Sequence, residues 1–414
     1  MRPPASKWQS TFGYYALFAC FGLSIGILGP TIPSLARGTG VSVAMMGVIF
    51  LVGSIGYTAG TLLGGRLYDR VPGHALLGVA ELAAAACLAL VPVIPSLSFL
   101  LPVVFCRGIA EGLVNTGGNT LLLWTHGEKA SPFMNGLHFF FGLGAFVSPL
   151  LVARFTSTPD GWRWAYWIIA AATGLAGLWL LSMGASPDRR AHRHHSDERG
   201  THQGPGAWGP IAVAALFLFA YVGVEISFGS WVYTYAVNLR VASTAGAAYL
   251  TSAFWLSFTI GRAASIPVAL RFTPRQVIPA AIAACLVLAA ALVARPPSTP
   301  LLWTVAIGLG FFLAPLWPSG YTLAGQVVTM TAFASGLVLL GDSFGAMVLP
   351  SLTGKIMDAV GPRLLSLSLP TLVLVNLTVC LGAYLSLLIT ARRRERASGT
   401  GRSDNARPGA GTGS

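Results

Sequence analysis

Few side chains in this sequence are equipped for chemistry, and most of those that are stand in apolar surroundings. The run FCRGIAEGLVNTGGNTLLLW places Arg107, Glu111, Asn115 and Asn119 at steps of four. In a helix each such step drifts by only ~40°, so the four side chains share one face and extend over about 18 Å of its axis. Arg107 and Glu111 can pair within the helix. Asn115 and Asn119 offer donors and acceptors to a hydroxyl-bearing ligand. His138 follows in NGLHFFFGLGAFVSPLL, one turn from Asn135 and among phenylalanines. Glu225 stands in YVGVEISFGSWVYTYAV with no basic residue within a helical turn, and Asp342 is a further isolated acid. These groups suit binding a polar solute and carrying an ion. They do not form a bond-making set. The sequence has no GxxxxGK[ST] phosphate loop, no metal-protease motif and no evident Ser/His/Asp arrangement. The stretch RRAHRHHSDER reads as a solvated linker and not as a metal site. The expectation is therefore no enzyme, no cofactor and no resident metal.

Composition says what must position these groups. Hydrophobic residues make up 54% of the 414 and charged residues 9%, against about 25% charged in a soluble protein. Such a chain cannot cover a soluble globule, so it reads as a polytopic membrane protein. A spanning helix needs about 20 apolar residues. Twelve apolar segments are visible, near 12–34, 44–66, 74–93, 97–123, 132–154, 162–184, 209–235, 247–270, 276–295, 300–323, 332–357 and 367–390. The five cysteines, 20, 87, 106, 285 and 380, lie inside these runs without a CxxC pair and read as small core residues. In a bilayer the ionisable groups of the spans must face a water-filled cavity or one another. Glu81 stands near the edge of its span and reads as structural.

The segment 185–208 is the one long polar interior stretch, and it divides the spans six and six. The expected organisation is a six-helix half over 1–184, a linker over 185–208, a second half over 209–391 and a basic disordered tail over 392–414. With the N-terminus inside, 17 Lys and Arg fall on the inner side and 7 on the outer. That asymmetry assigns termini and linker to the cytoplasm. The net charge of +13 therefore addresses a lipid surface and not nucleic acid. The halves are related at an offset of 201: LFACFGLS (17–24) falls on LFAYVGVE (218–225), Arg70 on Arg271, and GAFVSPLL (144–151) on GAMVLPSL (345–352). A six-span unit repeated in one orientation is the parallel-repeat design of transporters, with its site between the halves near mid-membrane.

Two strings carry a resemblance. GGRLYDRVPGH, from Gly64 to His74, resembles the loop signature G-x-L-x-D-R-x-G-R of the major facilitator superfamily. Gly65, Leu67, Asp69, Arg70 and Gly73 match. Pro72 is an extra residue, and His74 stands where a basic residue is usual. The resemblance implies gating by Gly65, Asp69 and Arg70. The second-half counterpart, FWLSFTIGRAASIPVALRFTPRQ, adds Arg262, whose place nine residues before Arg271 favours a buried partner. Further strings, SIGILGPTIPSL, LVNTGGNTLLLW and GVEISFGSWVYTYAV among them, are similar to the sodium-dependent glucose transporter-like proteins. They are more distantly similar to the fucose/glucose/galactose:proton symporters. In those relatives an acid usually stands where this chain has Asn115. If that acid is the coupling group, coupling here has moved to Glu225 or Glu111, or is absent.

The expected fold is thus an all-α membrane protein of the major facilitator type, with 12 transmembrane helices in two halves. The expected function is secondary transport by alternating access in the plasma membrane, as symport of a hexose-like sugar with H⁺ or Na⁺. The substrate site falls on Asn115, Asn119, His138 and Glu225, the coupling acid is Glu225, Glu111 or Asp342, and the protein is a monomer. An exporter of a small metabolite or drug driven by protons is the alternative, and a non-transporting sensor or scaffold a third. One outcome follows from the charge asymmetry alone. Protease added outside intact cells should leave 185–208 and the tail from Arg392 uncut, and cleavage in either segment would reverse the orientation.

Overall fold

The computed structural model describes residues 6–68, 70–155, 158, 160–186, 208–328 and 332–404. Its α-helices are α1 (Lys7–Gly26), α2 (Leu28–Thr39), α3 (Val43–Met46), α4 (Val48–Leu67), α5 (Gly73–Leu90), α6 (Leu97–His126), α7 (Ala130–Phe155), α8 (Trp162–Ser182), α9 (Trp208–Asn238), α10 (Thr244–Arg271), α11 (Pro274–Ala294), α12 (Thr299–Leu313), α13 (Leu316–Val327), α14 (Ala332–Ala359) and α15 (Gly361–Asp404). Among the described residues there is no strand. A bilayer admits only helices and closed β-barrels, because each backbone N–H and C=O must be satisfied without water, and continuous apolar runs of about 20 residues suit helices. Polar residues mark several starts. Ser6 accepts from Gln9 N, Ser42 from Met45 N and Ser243 from Gly246 N, and Thr273 and Gln276 form a capping box.

Eleven helices are long and apolar enough to span a membrane, and a bent pair makes the twelfth. That pair corrects the expectation of a continuous first span. α1 and α2 meet at 50° around Ile27, because Pro30 has no N–H to give the Gly26 carbonyl. The tenth span is likewise divided into α12 and α13 at Ala314–Pro315, where Pro315 and Pro318 withdraw two donors. α15 continues past residue 391 to Asp404, since Ala, Arg and Glu after Ile389 are good helix formers. Nearly all of the linker, 187–207, lies outside the described residues. Three cysteines are buried as expected, but Cys106 is exposed on the flank of α6.

Helices α1–α8 and α9–α15 form the two halves. Small residues set the spacing within them. A Cβ built on Gly56 or Gly60 of α4 would strike the Phe105 or Ile109 carbonyl of α6, so these glycines form a small-residue seam along which the two helices pack. Large apolar side chains such as Leu62, Phe99, Leu175 and Val287 stand exposed on the outer surface of the bundle. An aqueous surface would not tolerate that many, whereas lipid does.

The halves touch at mid-depth and at the end remote from the chain termini. At mid-depth Gly142 of α7 lies against Thr259 of α10. At the remote end Ser351 of α14 donates to the Gly47 carbonyl at 2.7 Å, and Trp231 of α9, fixed within its own half by donating to Pro350 O at 2.8 Å, packs against Phe50 of α4. Gly29 of α2 sits so close to α9 that an added Cβ would lie 2.8 Å from Ser230 O. No charge takes part in these contacts. The remote end is held shut by close backbone approach, one hydroxyl contact and one aromatic contact. Gly29→Leu should therefore wedge it open. In a background freed of the native cysteines, a cysteine at position 230 should then react faster with a membrane-impermeant maleimide applied from that end. An unchanged rate would place the closure elsewhere.

Candidate functional site

Between the halves lies a cavity of about 1010 Å³. Its mouth is at the end that carries the termini, where Leu270 and Phe272 line it while 84% and 51% exposed. Its deep part ends beneath Phe50 and Ser230, at the closed remote end. The described state is open on one side only.

The first-half wall comes from α1, α4, α6 and α7. Arg107, Glu111 and Asn115 of α6 line the cavity, on the shared face that their spacing predicts. Arg107 Nε stands 3.5 Å from Glu111 Oε1, and both side chains are buried. Ser24 of α1 donates to the same Glu111 oxygen. The expected Arg107–Glu111 pair is thus present and is pinned to a neighbouring helix. Asn119 differs from the expectation. Its amide turns back along α6 to the Asn115 carbonyl at 2.8 Å and to Asn115 Oδ1 at 3.2 Å, and it is not among the cavity-lining residues. His138 of α7 lines the cavity, edge-on to the Phe18 ring with centroids 5.9 Å apart.

The second-half wall comes from α9, α10, α13 and α14. Glu225 is buried in α9 and lines the cavity. Tyr221, one turn earlier, brings a buried hydroxyl toward the carboxyl without completing a hydrogen bond. The base missing from the local sequence arrives from α10: Arg262 acts electrostatically on Glu225, on Asp342 and, across the cavity, on His138. Asp342 of α14 also lines the cavity, and Trp317 of α13 donates its indole N–H to Asp342 Oδ1 at 2.9 Å. Trp317 in turn stacks on Tyr321 with ring planes 5° apart. Arg262 itself has no direct ion pair among the described residues; its guanidinium lies over the Phe258 ring at 4.9 Å.

The loop signature stands apart from this site. Gly65 ends α4 facing open space, and Arg70 is exposed on the following turn. Asp69 lies outside the described residues. His74 is not a free surface base, as its place in the signature suggested. It is buried, its Nδ1 donates to Gly184 O at 2.9 Å, and it accepts from the Tyr14 hydroxyl at 2.8 Å. Glu81 is a second correction. It is not at a span edge but sealed between α5 and α8, with one carboxyl oxygen lacking a partner.

Sequence reasoning missed Ser24, Tyr57, Tyr221 and Trp317. Trp317 had a signal, because Pro315 and Pro318 flank it, and interrupted spans point to transporter sites. Tyr57 of α4 had none beyond its apolar run, yet it lines the cavity and stacks parallel to Phe21.

The family model described as Major Facilitator Superfamily matches residues 14–307. Sodium-dependent glucose transporter 1 of Danio rerio is 29% identical over 427 residues, covering 94% of this chain and 70% of its own. The protein of the same name from Xenopus laevis is 30% identical over 358 residues, covering 80% of this chain and 72% of its own. Among solved structures, the nucleoside transporter NupG superposes with a TM-score of 0.71 at 18% identity, covering 93% of this chain and 98% of its own. A D-xylose-proton symporter does so with a TM-score of 0.71 at 13% identity, covering 90% and 97%. At these identities the structural likeness is one of fold.

The geometry of the first-half wall has a measurable consequence. Removing one member of a buried ion pair leaves an uncompensated charge and costs about 3–5 kcal/mol, whereas replacing both by apolar groups is often near neutral. Glu111→Leu should lower the thermal midpoint of the detergent-solubilised protein sharply, and Arg107→Leu/Glu111→Leu should recover most of the loss. Equal losses in the single and double variants would mean that the two residues are not coupled.

Proposed function

The chain belongs to the major facilitator superfamily and is a transporter, and from that premise we propose that it moves a hexose-like sugar together with H⁺ or Na⁺. The observation that carries the reading is the cavity: one-sided, between the halves, and provided with Asn115, His138 and Glu225 at mid-depth. Amide, imidazole and carboxyl groups match the paired donor and acceptor of each sugar hydroxyl. The cavity wall is mostly apolar, as a lipophilic drug would suit, but it carries three acids and has polar groups on both walls, which suit hydroxyls better. The names of the relatives, a sodium-dependent glucose transporter and a D-xylose-proton symporter, support the same class.

Alternating access follows from the two kinds of contact between the halves. The remote closure rests on Gly29, Gly47 and Ser351, none of them charged, so it can part without stranding an ion. Gly142 against Thr259 stays near the middle, where rotation of the halves displaces atoms least. With the termini in the cytoplasm, as the distribution of Lys and Arg supports, the described state faces inward. Coupling is assigned to Glu225. Glu111 already holds Arg107 and Ser24, and Asp342 already holds the Trp317 indole. Glu225 is the cavity acid with no completed hydrogen bond among those described, and so the one available to an arriving ion.

Glu225→Gln keeps the shape of the side chain and deletes its charge. In proteoliposomes it should abolish accumulation of labelled glucose against its gradient while leaving counterflow exchange measurable. Accumulation at the wild-type rate would make Glu225 structural. Absence of exchange by the wild-type protein with any hexose would remove sugar as the substrate.

A further inference from the structure

Resting on the sugar reading of the cavity, we propose that the preferred solute carries a carboxylate, as a sugar acid does, and that Arg262 receives it. The cavity holds three acids and two arginines, and Arg262 is the arginine there without a direct partner, although Glu225 and Asp342 act on it electrostatically. Arg262 lines it, its side chain makes no hydrogen bond and no ion pair within 4.0 Å among the described residues, and its Nε is buried without a partner. The Phe258 ring beneath it engages the face of the guanidinium and satisfies none of its N–H groups. On the opposite wall Arg107 is already held in an ion pair by Glu111 at 3.5 Å, although its Nε and Nη1 make no hydrogen bond. The acids are more nearly committed, Glu111 to Ser24 and Asp342 to Trp317.

In the open state water reaches the mouth of the cavity and can solvate Arg262. When both ends close during transport, bulk water leaves, and a buried cation without a partner is costly. The solute must then supply what water supplied. A neutral hexose offers hydroxyls, each of which brings a donor as well as an acceptor. A carboxylate brings acceptors only, a compensating charge, and two oxygens at the spacing of the guanidinium fork. A single uncommitted guanidinium suits a monoanion. A phosphate dianion would need a second free cation, and Arg107 is held by Glu111. Glu225, nearby on α9, remains to receive the hydroxyls. The competing arrangement is a direct Arg262–Glu225 pair in the closed state, which would need no anion at all.

The full-length protein in proteoliposomes distinguishes these arrangements by counterflow of labelled glucose against unlabelled glucose, glucuronate or gluconate. The expected result is that the sugar acids compete at least ~10-fold more strongly than glucose. Arg262→Gln should weaken them by about 10- to 150-fold, the range for loss of a charge-assisted contact. It should change glucose by less than ~3-fold, and Arg262→Lys should restore only part of the difference, because the fork is lost. Exchange of glucose without competition by either acid overturns the inference and leaves the sugar reading intact. Equal loss for glucose and the acids in Arg262→Gln also overturns it, because the residue then acts on the site as a whole. If no sugar of any kind exchanges, the sugar reading falls and takes the inference with it. Competition on the wild-type protein decides the matter even if the variants do not fold.

Discussion

A bilayer interior offers no water to a polar group, and the arrangement of this protein follows from that constraint. Each ionisable residue within a span costs roughly 2.5–3.5 kcal/mol if it faces lipid. Arg107, Glu111, Glu225, Arg262 and Asp342 all line the cavity between the halves. Leu62, Phe99 and Val287 take the lipid side. The cavity is therefore where the sequence can keep its charges, and concentrating them there is what makes it a binding site.

The two walls handle their charges differently. On the first-half wall Arg107, Glu111 and Ser24 are bound to one another, tying α6 to α1. That wall is organised before any solute arrives. On the second-half wall Glu225, Arg262 and Asp342 act on one another electrostatically without closing an ion pair. An unpaired set can change partners at small cost, which is what an ion-coupled site requires. The internal repeat makes the contrast sharper, since at the shared offset Ser24 corresponds to Glu225. The same position donates to an acid in one half and supplies an acid in the other.

Movement depends on glycines as much as on charges. Gly56 and Gly60 let α4 lie directly on α6, and Gly142 lets α7 meet α10. Backbone in contact with backbone makes each half rigid and keeps the mid-depth contact thin. Gly29 and Gly47 play the corresponding part at the remote end, where small residues, one hydroxyl and the Phe50–Trp231 contact form the closure, with no salt bridge among the described residues. The kink at Ile27 and the break before Leu316 place irregular backbone in two helices that border the cavity, where polar surroundings can satisfy it.

Composition and periodicity were enough to establish that the chain crosses a membrane about twelve times in two related halves, because a span of ~20 apolar residues needs no partner to be recognised. Spacing within one helix was enough to pair Arg107 with Glu111, since residues four apart share a face whatever surrounds them. The identity of the residues on the facing wall was beyond it. Nothing local to Glu225 announces Arg262, 37 positions later, and nothing local to Asp342 announces Trp317, because contacts between helices depend on how each is rotated about its own axis. The same limit explains Asn119, which obeys the spacing of its stripe but turns its amide back to Asn115 and is not in the cavity lining, and Glu81, which lies near one end of its sequence run yet is sealed inside the first half. A sequence specifies which face of a helix is polar. Only packing decides what that face meets, because the partner comes from a distant part of the chain.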